Sequence, residues 1–199
     1  MSERIVVAGQ NAYQNAYQKE KVFFDFDGVI RDLSSSSSRV DIIKTNIVFG
    51  IADHLYKHNP SLFARNTPKF YKGGYKTNQK IIELIRELQQ DGYEVAVLTS
   101  NNNVGAIKQE LAKNGLYLDV EVKQPLDKLR LAKEKGTVIV DDGYEIKLLA
   151  IFAYSKNLVS FQGKHNLLLS LFRRNTIRAD ESLESIKNKI NSAIKNAER

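Results

Sequence analysis

Two carboxylates stand one residue apart in "VFFDFDGVI" (22–30), where Asp25 and Asp27 follow the apolar run Val22–Phe24. Two more, Asp141 and Asp142, close the apolar run "VIV" (138–140). Side chains at i and i+2 of extended backbone point the same way, so Asp25 and Asp27 face one place while Phe26 faces another. Gly28 then lets the backbone turn sharply. Ionised carboxylates at the end of a buried strand need something to offset their charge. If the strands that carry them are neighbours, four carboxylates converge, and they cannot all ionise unaided. A hard divalent cation with oxygen ligands resolves the conflict, and Mg²⁺ suits a few carboxylates plus water and a substrate phosphate. Thr99, at the end of "VLT", adds a hydroxyl, and Lys128 adds a positive charge.

The elements that must position these groups follow from patterning. Val22–Phe24 reads as a buried strand. "QKIIELIRELQQ" (79–90) reads as a helix capped by Thr77 or Asn78 and ended by "DG", and "YEVAVLT" (93–99) as a strand. A helix over 104–113, a short strand "DVEV" (119–122), a helix over 126–135 and a strand "TVIV" (137–140) come next. A helix from Tyr144 and a strand "NLVSF" (157–161) follow. Such alternation implies parallel crossovers and a sheet covered on both faces. Ligands of open α/β sheets sit beyond the carboxyl ends of the strands, where the carboxylates lie. The tail, 164–199, reads as two helices. The last, about 181–197, carries the stripe Leu183, Ile186, Ile190 and Ile194, which is expected to pack on the domain.

The chain has 199 residues, enough for one compact domain and a modest insertion. It contains no cysteine, which excludes disulfides, thiolate nucleophiles and thiolate metal sites. No apolar run approaches membrane-spanning length, and the N-terminus lacks the pattern of a secretory signal, so a cytoplasmic location without membrane partners is expected. The net charge of +7 favours acidic partners: phosphorylated metabolites, nucleotides or nucleic acid.

In their order along the chain, "DFDGV", the strand ending "VLTS", a downstream lysine and "VIVDD" resemble the haloacid dehalogenase superfamily, in its phosphatase branch. The resemblance spans about Lys21 to Phe161. It implies a Rossmann-like parallel sheet with helices on both faces, a small helical cap after the first catalytic strand and a helical C-terminal tail. The corresponding division is an N-terminal extension (1–20), a core (21–32 and 78–163), a cap (33–77) and C-terminal helices (164–199). By the same resemblance Asp25 is the nucleophile that forms an aspartyl phosphate, and Asp27 is the general acid and base. Thr99 binds a phosphoryl oxygen, and Lys128 orients the nucleophile. Asp25, Asp141, the Asp27 backbone carbonyl and Asp142 surround Mg²⁺. Lys123 is the alternative to Lys128, which is preferred because it opens the helix leading into "VIVDD". Ser100 is placed to share the role of Thr99, and Glu145 stands as an alternative second acid.

A receiver-like signalling module, phospho-accepting or merely Mg²⁺-binding, uses similar groups. There the acidic pair comes first, whereas here it comes last. A dehalogenase has no leaving alkoxide to protonate, which would leave Asp27 without a purpose. His54 and His58 are spaced i, i+4, but no third ligand accompanies them, so they read as exposed helix histidines. In the cap interval, "RNTPKFYKGGYK" (65–76) interleaves Arg65, Lys69, Lys72 and Lys76 with Phe70, Tyr71 and Tyr75. Cations among aromatic faces suit a nucleotide or nucleic-acid end, although a solvated basic loop is the plainer account. Sugar phosphates stay open as substrates, and the sequence does not fix an oligomeric state.

Overall fold

The computed structural model describes residues 20–32, 76–143, 157–162 and 176–197. The N-terminal extension up to residue 19, the interval 33–75 with His54, His58 and all of the basic stretch but Lys76, and the segment 144–156 with Glu145 lie outside them.

Six strands form one sheet: β1 (Lys21–Phe24), β4 (Glu94–Thr99), β5 (Val120–Val122), β6 (Thr137–Asp141), β7 (Leu158–Gln162) and β8 (Thr176–Arg178). Their order is β5-β4-β1-β6-β7-β8, and every pairing is parallel. A second, two-stranded pairing joins β2 (Arg31–Asp32) to β3 (Lys76–Thr77) in antiparallel register. Four helices are described: α1 (Gln79–Gln90), α2 (Val104–Lys113), α3 (Pro125–Leu131) and α4 (Leu183–Ala197).

The period-two rule divides the core into two layers. On one face Val22 and Phe24 of β1, Val95 and Val97 of β4, Val138 and Val140 of β6, and Val159 and Phe161 of β7 pack with α1, α2 and α4. On the other, Phe23, Ala96, Leu98, Ile139 and Leu158 pack with Leu129 of α3 and with Ala132. The α4 stripe behaves as expected, with Ile186, Ile190 and Ile194 buried in the first layer. These strands are buried on both sides, which is why they read as continuous apolar runs rather than alternating ones.

Central β1 is flanked by β4 and β6, and the chain builds outward first on one side and then on the other. The crossover through α1 covers one face and the crossover through α3 covers the other. In open α/β sheets ligands bind beyond the strand ends at such a switch point.

Two local expectations change, and one open alternative is decided. The tail is not helical throughout: Thr176–Arg178 is a strand that extends the sheet at its edge beside β7. Helix α3 ends at Leu131 rather than near residue 135. After it the N–H groups of Lys133 and Glu134 reach only three residues back, to Arg130 and Leu131, so the chain tightens into turns before Gly136. Asn78 rather than Thr77 occupies the N-cap of α1, without a side-chain capping bond, and the Thr77 hydroxyl instead donates to Glu110.

Candidate active site

Asp25 is the first residue beyond β1. Its N–H donates to the Val140 carbonyl at 2.8 Å, continuing the β1–β6 ladder, so Asp25 and Asp141 lie side by side. Both follow by two residues the side chains Phe23 and Ile139 that face α3. Lys128 rises from α3 on that same face, 2% exposed. Its ammonium lies 3.2 Å from Asp25 Oδ1 and 2.8 Å from Asp141 Oδ2. The alternative, Lys123, is exposed on the loop after β5. Asp25 Oδ1 also accepts the Phe26 N–H at 2.9 Å, and Asp141 Oδ1 accepts the Gly143 N–H at 2.7 Å.

Beyond Asp25 the chain turns back tightly. Gly28 N–H donates to the Arg31 carbonyl, and Arg31 N–H returns to the Phe26 carbonyl at 2.8 Å. Fully buried Val29 and Ile30 anchor the turn in the core. Gly28 is required twice. Its φ of +87° suits glycine, and a Cβ there would lie 1.8 Å from Asp142 Oδ2. The bare backbone thus lets the Asp142 carboxylate pass over the turn and join Asp25 and Asp141, with one oxygen from each within 4.8 Å of the others.

The electrostatics follow from this crowding. Burial pushes the Asp25 carboxyl well above the usual carboxylate range. Lys128 opposes that rise, while Asp141, Asp142 and Asp27 add to it. Burial alone would lower the Lys128 ammonium, but Asp141 and Asp25 more than reverse it, so the group is held firmly charged. One ammonium, paired with Asp25 and Asp141, is set against a cluster of three close carboxylates. That donor set, all hard oxygen, fits a divalent cation such as Mg²⁺.

Asp27 stands beside this cluster. Asn101 Nδ2 donates to its Oδ2 at 3.1 Å, and Arg31 Nη1 lies 3.6 Å from its Oδ1, which is buried without a hydrogen bond among the described residues. Burial raises this carboxyl too, against the pull of Asn101 and Arg31. Thr99, buried at the end of β4, accepts the Asn101 N–H on its hydroxyl oxygen at 3.1 Å. Ser100 is exposed and donates to the Lys123 carbonyl. The structure therefore brings Asp25, Asp141, Asp142 and Lys128 together, with Asp27 and Thr99 joined through Asn101. Asn101 and Arg31 have no counterpart in the sequence analysis; a polar residue two places after Thr99 was the one available signal for the first.

No family model matches the sequence, and no curated protein is recognisably similar to it. Solved structures are similar in fold. A hydrolase of the haloacid dehalogenase superfamily (family IA, variant 3) from Entamoeba histolytica aligns with a TM-score of 0.55 at 13% identity, over 86% of this chain and 99% of that one. A protein assigned as a phosphoglycolate phosphatase from Lactobacillus delbrueckii aligns with a TM-score of 0.54 at 13% identity, over 86% and 98%. The chain has the haloacid dehalogenase fold. Its acidic cluster lies at the switch point of that fold, at the carboxyl ends of β1 and β6. Among the described residues no helix is long and apolar enough to cross a membrane.

Proposed function

We propose that the protein is a Mg²⁺-dependent phosphomonoester hydrolase that works through an aspartyl phosphate on Asp25. The observation that carries this reading is the Lys128 ammonium set between Asp25 and Asp141, two of three carboxylates close enough to hold one cation, in a site where burial also raises the carboxyl of Asp27. The metal would be held by Asp25, Asp141, Asp142 and the Asp27 backbone carbonyl. When bound, it would supply positive charge to offset repulsion between the nucleophile and an incoming phosphate.

The chain's own groups then divide the work. In the first step a carboxylate oxygen of Asp25 forms a bond to phosphorus while the bond to the ester oxygen breaks. Asp27, whose burial favours the protonated form, gives its proton to the departing alkoxide, and the product is the alcohol. In the second step Asp27, now a carboxylate, takes a proton from water. The oxygen bonds to phosphorus, the acyl phosphate bond breaks, and Asp25 is regenerated with release of phosphate. Thr99 holds a phosphoryl oxygen through its hydroxyl. Lys128 aligns Asp25 and opposes the burial that disfavours its ionised form, which suits a reaction that depends on positioning and charge neutralisation. Phosphorylated small molecules, sugar phosphates and nucleotides among them, are the substrate class, and the basic charge of the chain agrees with any of them.

The test is phosphate release from a panel of phosphomonoesters, in Mg²⁺ and in chelator. Wild type should turn over only with the metal. Asp25→Asn should abolish turnover, and Asp27→Asn should reduce kcat about 10²–10⁴-fold. Metal-independent turnover, or full activity in Asp25→Asn, would refute the mechanism.

A further inference from the structure

We propose that Lys123 is a specificity-determining residue whose ammonium binds a second anionic group, phosphate or carboxylate, on the phosphomonoester; this rests on the hydrolase reading above and narrows its substrate class. Lys123 directly follows β5, and the register sets Val122 of that strand beside Thr99. Two hydrogen bonds carry the pairing past the strand end. The Lys123 N–H donates to the Thr99 carbonyl at 2.9 Å, and the Lys123 carbonyl accepts the Ser100 hydroxyl at 3.1 Å. The backbone of Lys123 is thus fastened on both sides of its Cα to Thr99 and the residue after it. Paired strands lie about 4.8 Å apart, so Lys123 starts one strand spacing from the residue given the phosphoryl oxygen.

The side chain is free where the backbone is not. Lys123 is exposed, and its ammonium has no partner among the described residues. Lys128 and Arg31, by contrast, are engaged, the first by Asp25 and Asp141 and the second by Asp27. Asp25, Asp27, Asp141 and Asp142 already crowd the centre with like groups. A substrate that carries an anion besides its reacting phosphate adds to that repulsion, and it needs a cation not already spent on the carboxylates. Lysine suits the task. Its ammonium is a compact point charge with three donors on a flexible stem, so it meets phosphate or carboxylate alike. The stem reaches a group a few bonds removed from the phosphoryl group, while the anchored backbone fixes where that reach begins.

Two ester pairs isolate the second charge: fructose 6-phosphate with fructose 1,6-bisphosphate, and glycerol 3-phosphate with 3-phosphoglycerate. With Mg²⁺ present, kcat/KM for all four is measured in wild type, Lys123→Gln and Lys123→Arg. Wild type should prefer the member with the second anion in at least one pair, and the pair that shows it tells phosphate from carboxylate. Lys123→Gln should cut that preference roughly five- to tenfold, through KM rather than kcat, and Lys123→Arg should keep most of it. A lysine that merely holds the loop would, when replaced, depress both members of a pair alike. No preference in wild type, or one that survives Lys123→Gln, overturns the proposal. Binding is read apart from turnover by calorimetry in Mg²⁺, with fructose 1,6-bisphosphate and 3-phosphoglycerate as ligands. The protein carries Asp25→Asn, with Lys123 intact or replaced by Gln. A Kd weakened roughly five- to tenfold by Lys123→Gln supports the proposal even where wild type turns over no ester, a result that would sink the hydrolase reading alone. Equal Kd values, or no binding of either ligand, overturn it.

Discussion

Replacing Lys128 by Met keeps the aliphatic stem in place and removes only the charge, which makes it a clean probe of the buried cluster. The ammonium is 2% exposed and pairs with two carboxylates, at 3.2 Å and 2.8 Å. Removing one partner from a buried pair costs about 3–5 kcal/mol, because the other charge is left uncompensated. For a chain of this size each kcal/mol moves the melting temperature by about 2–4 °C, so a fall of roughly 6–20 °C is expected in chelator at pH 8. The pH dependence has a definite sign. The Asp25 carboxyl is already raised in the folded protein, and loss of Lys128 raises it further. Between the ordinary carboxylate value of about 3.9 and that raised value, the folded state binds more protons than the unfolded chain. Stability of the variant therefore falls as pH rises through the folded value, and its deficit relative to wild type narrows on acidification. Thermal melts of both proteins from pH 5 to pH 8 supply the comparison. A melting temperature within about 2 °C of wild type at pH 8, or a deficit that widens toward pH 5, would show that Lys128 does not neutralise this site.

Gly28→Ala should cost about 1–3 kcal/mol for the backbone alone and displace the Asp142 carboxylate, so the rise in melting temperature on adding Mg²⁺ should shrink or vanish. Calorimetry with and without Mg²⁺ checks both effects, and an undiminished response would remove Asp142 from the metal site. Beyond the edge strand β8, burial tends to raise the Glu181 carboxyl. Hydrogen bonds from Lys189, the Arg178 N–H and Ser185 outweigh it and hold the group below its usual value. Its stabilisation is present above the unfolded carboxylate value and is lost as pH falls through the lowered folded one. Glu181→Gln should cost about 1 kcal/mol at neutral pH, with the difference from wild type closing in strong acid, as read from denaturant midpoints.

The sequence disclosed most of what positions the site, because the relevant signals are local. Strands buried on both faces announce themselves as apolar runs, and the carboxylates that end them stand out against that background. Lys128 was preferred to Lys123 on its place at the start of a helix, and the structure sets its ammonium between Asp25 and Asp141. What stayed hidden depends on contacts between distant residues. Strand β8 is three residues long and shows no alternation of its own; pairing with β7 makes it a strand. Likewise β2 and β3 are two residues each and exist only as each other's partners. Asn101 looked like an ordinary loop residue, since its importance arises where the loop after β4 meets the turn after β1, 74 positions away.

The β2–β3 pair bears on how such a chain can vary. Arg31 pairs with Thr77 and Asp32 with Lys76, so the polypeptide departs at Asp32 and returns beside the same point at Lys76. Asn78 N–H then donates to the Ile30 carbonyl at 2.8 Å, fastening the return to the buried turn. The two ends of the intervening stretch are thus held side by side. Doubling the length of a flexible excursion adds only about 0.6 kcal/mol of closure cost. With its ends paired in this way, the length of the segment between Asp32 and Lys76 is only weakly limited by closure entropy. New substrate preferences could be tried on an unchanged chemical centre, with the β2–β3 pair serving as a fixed socket for interchangeable parts.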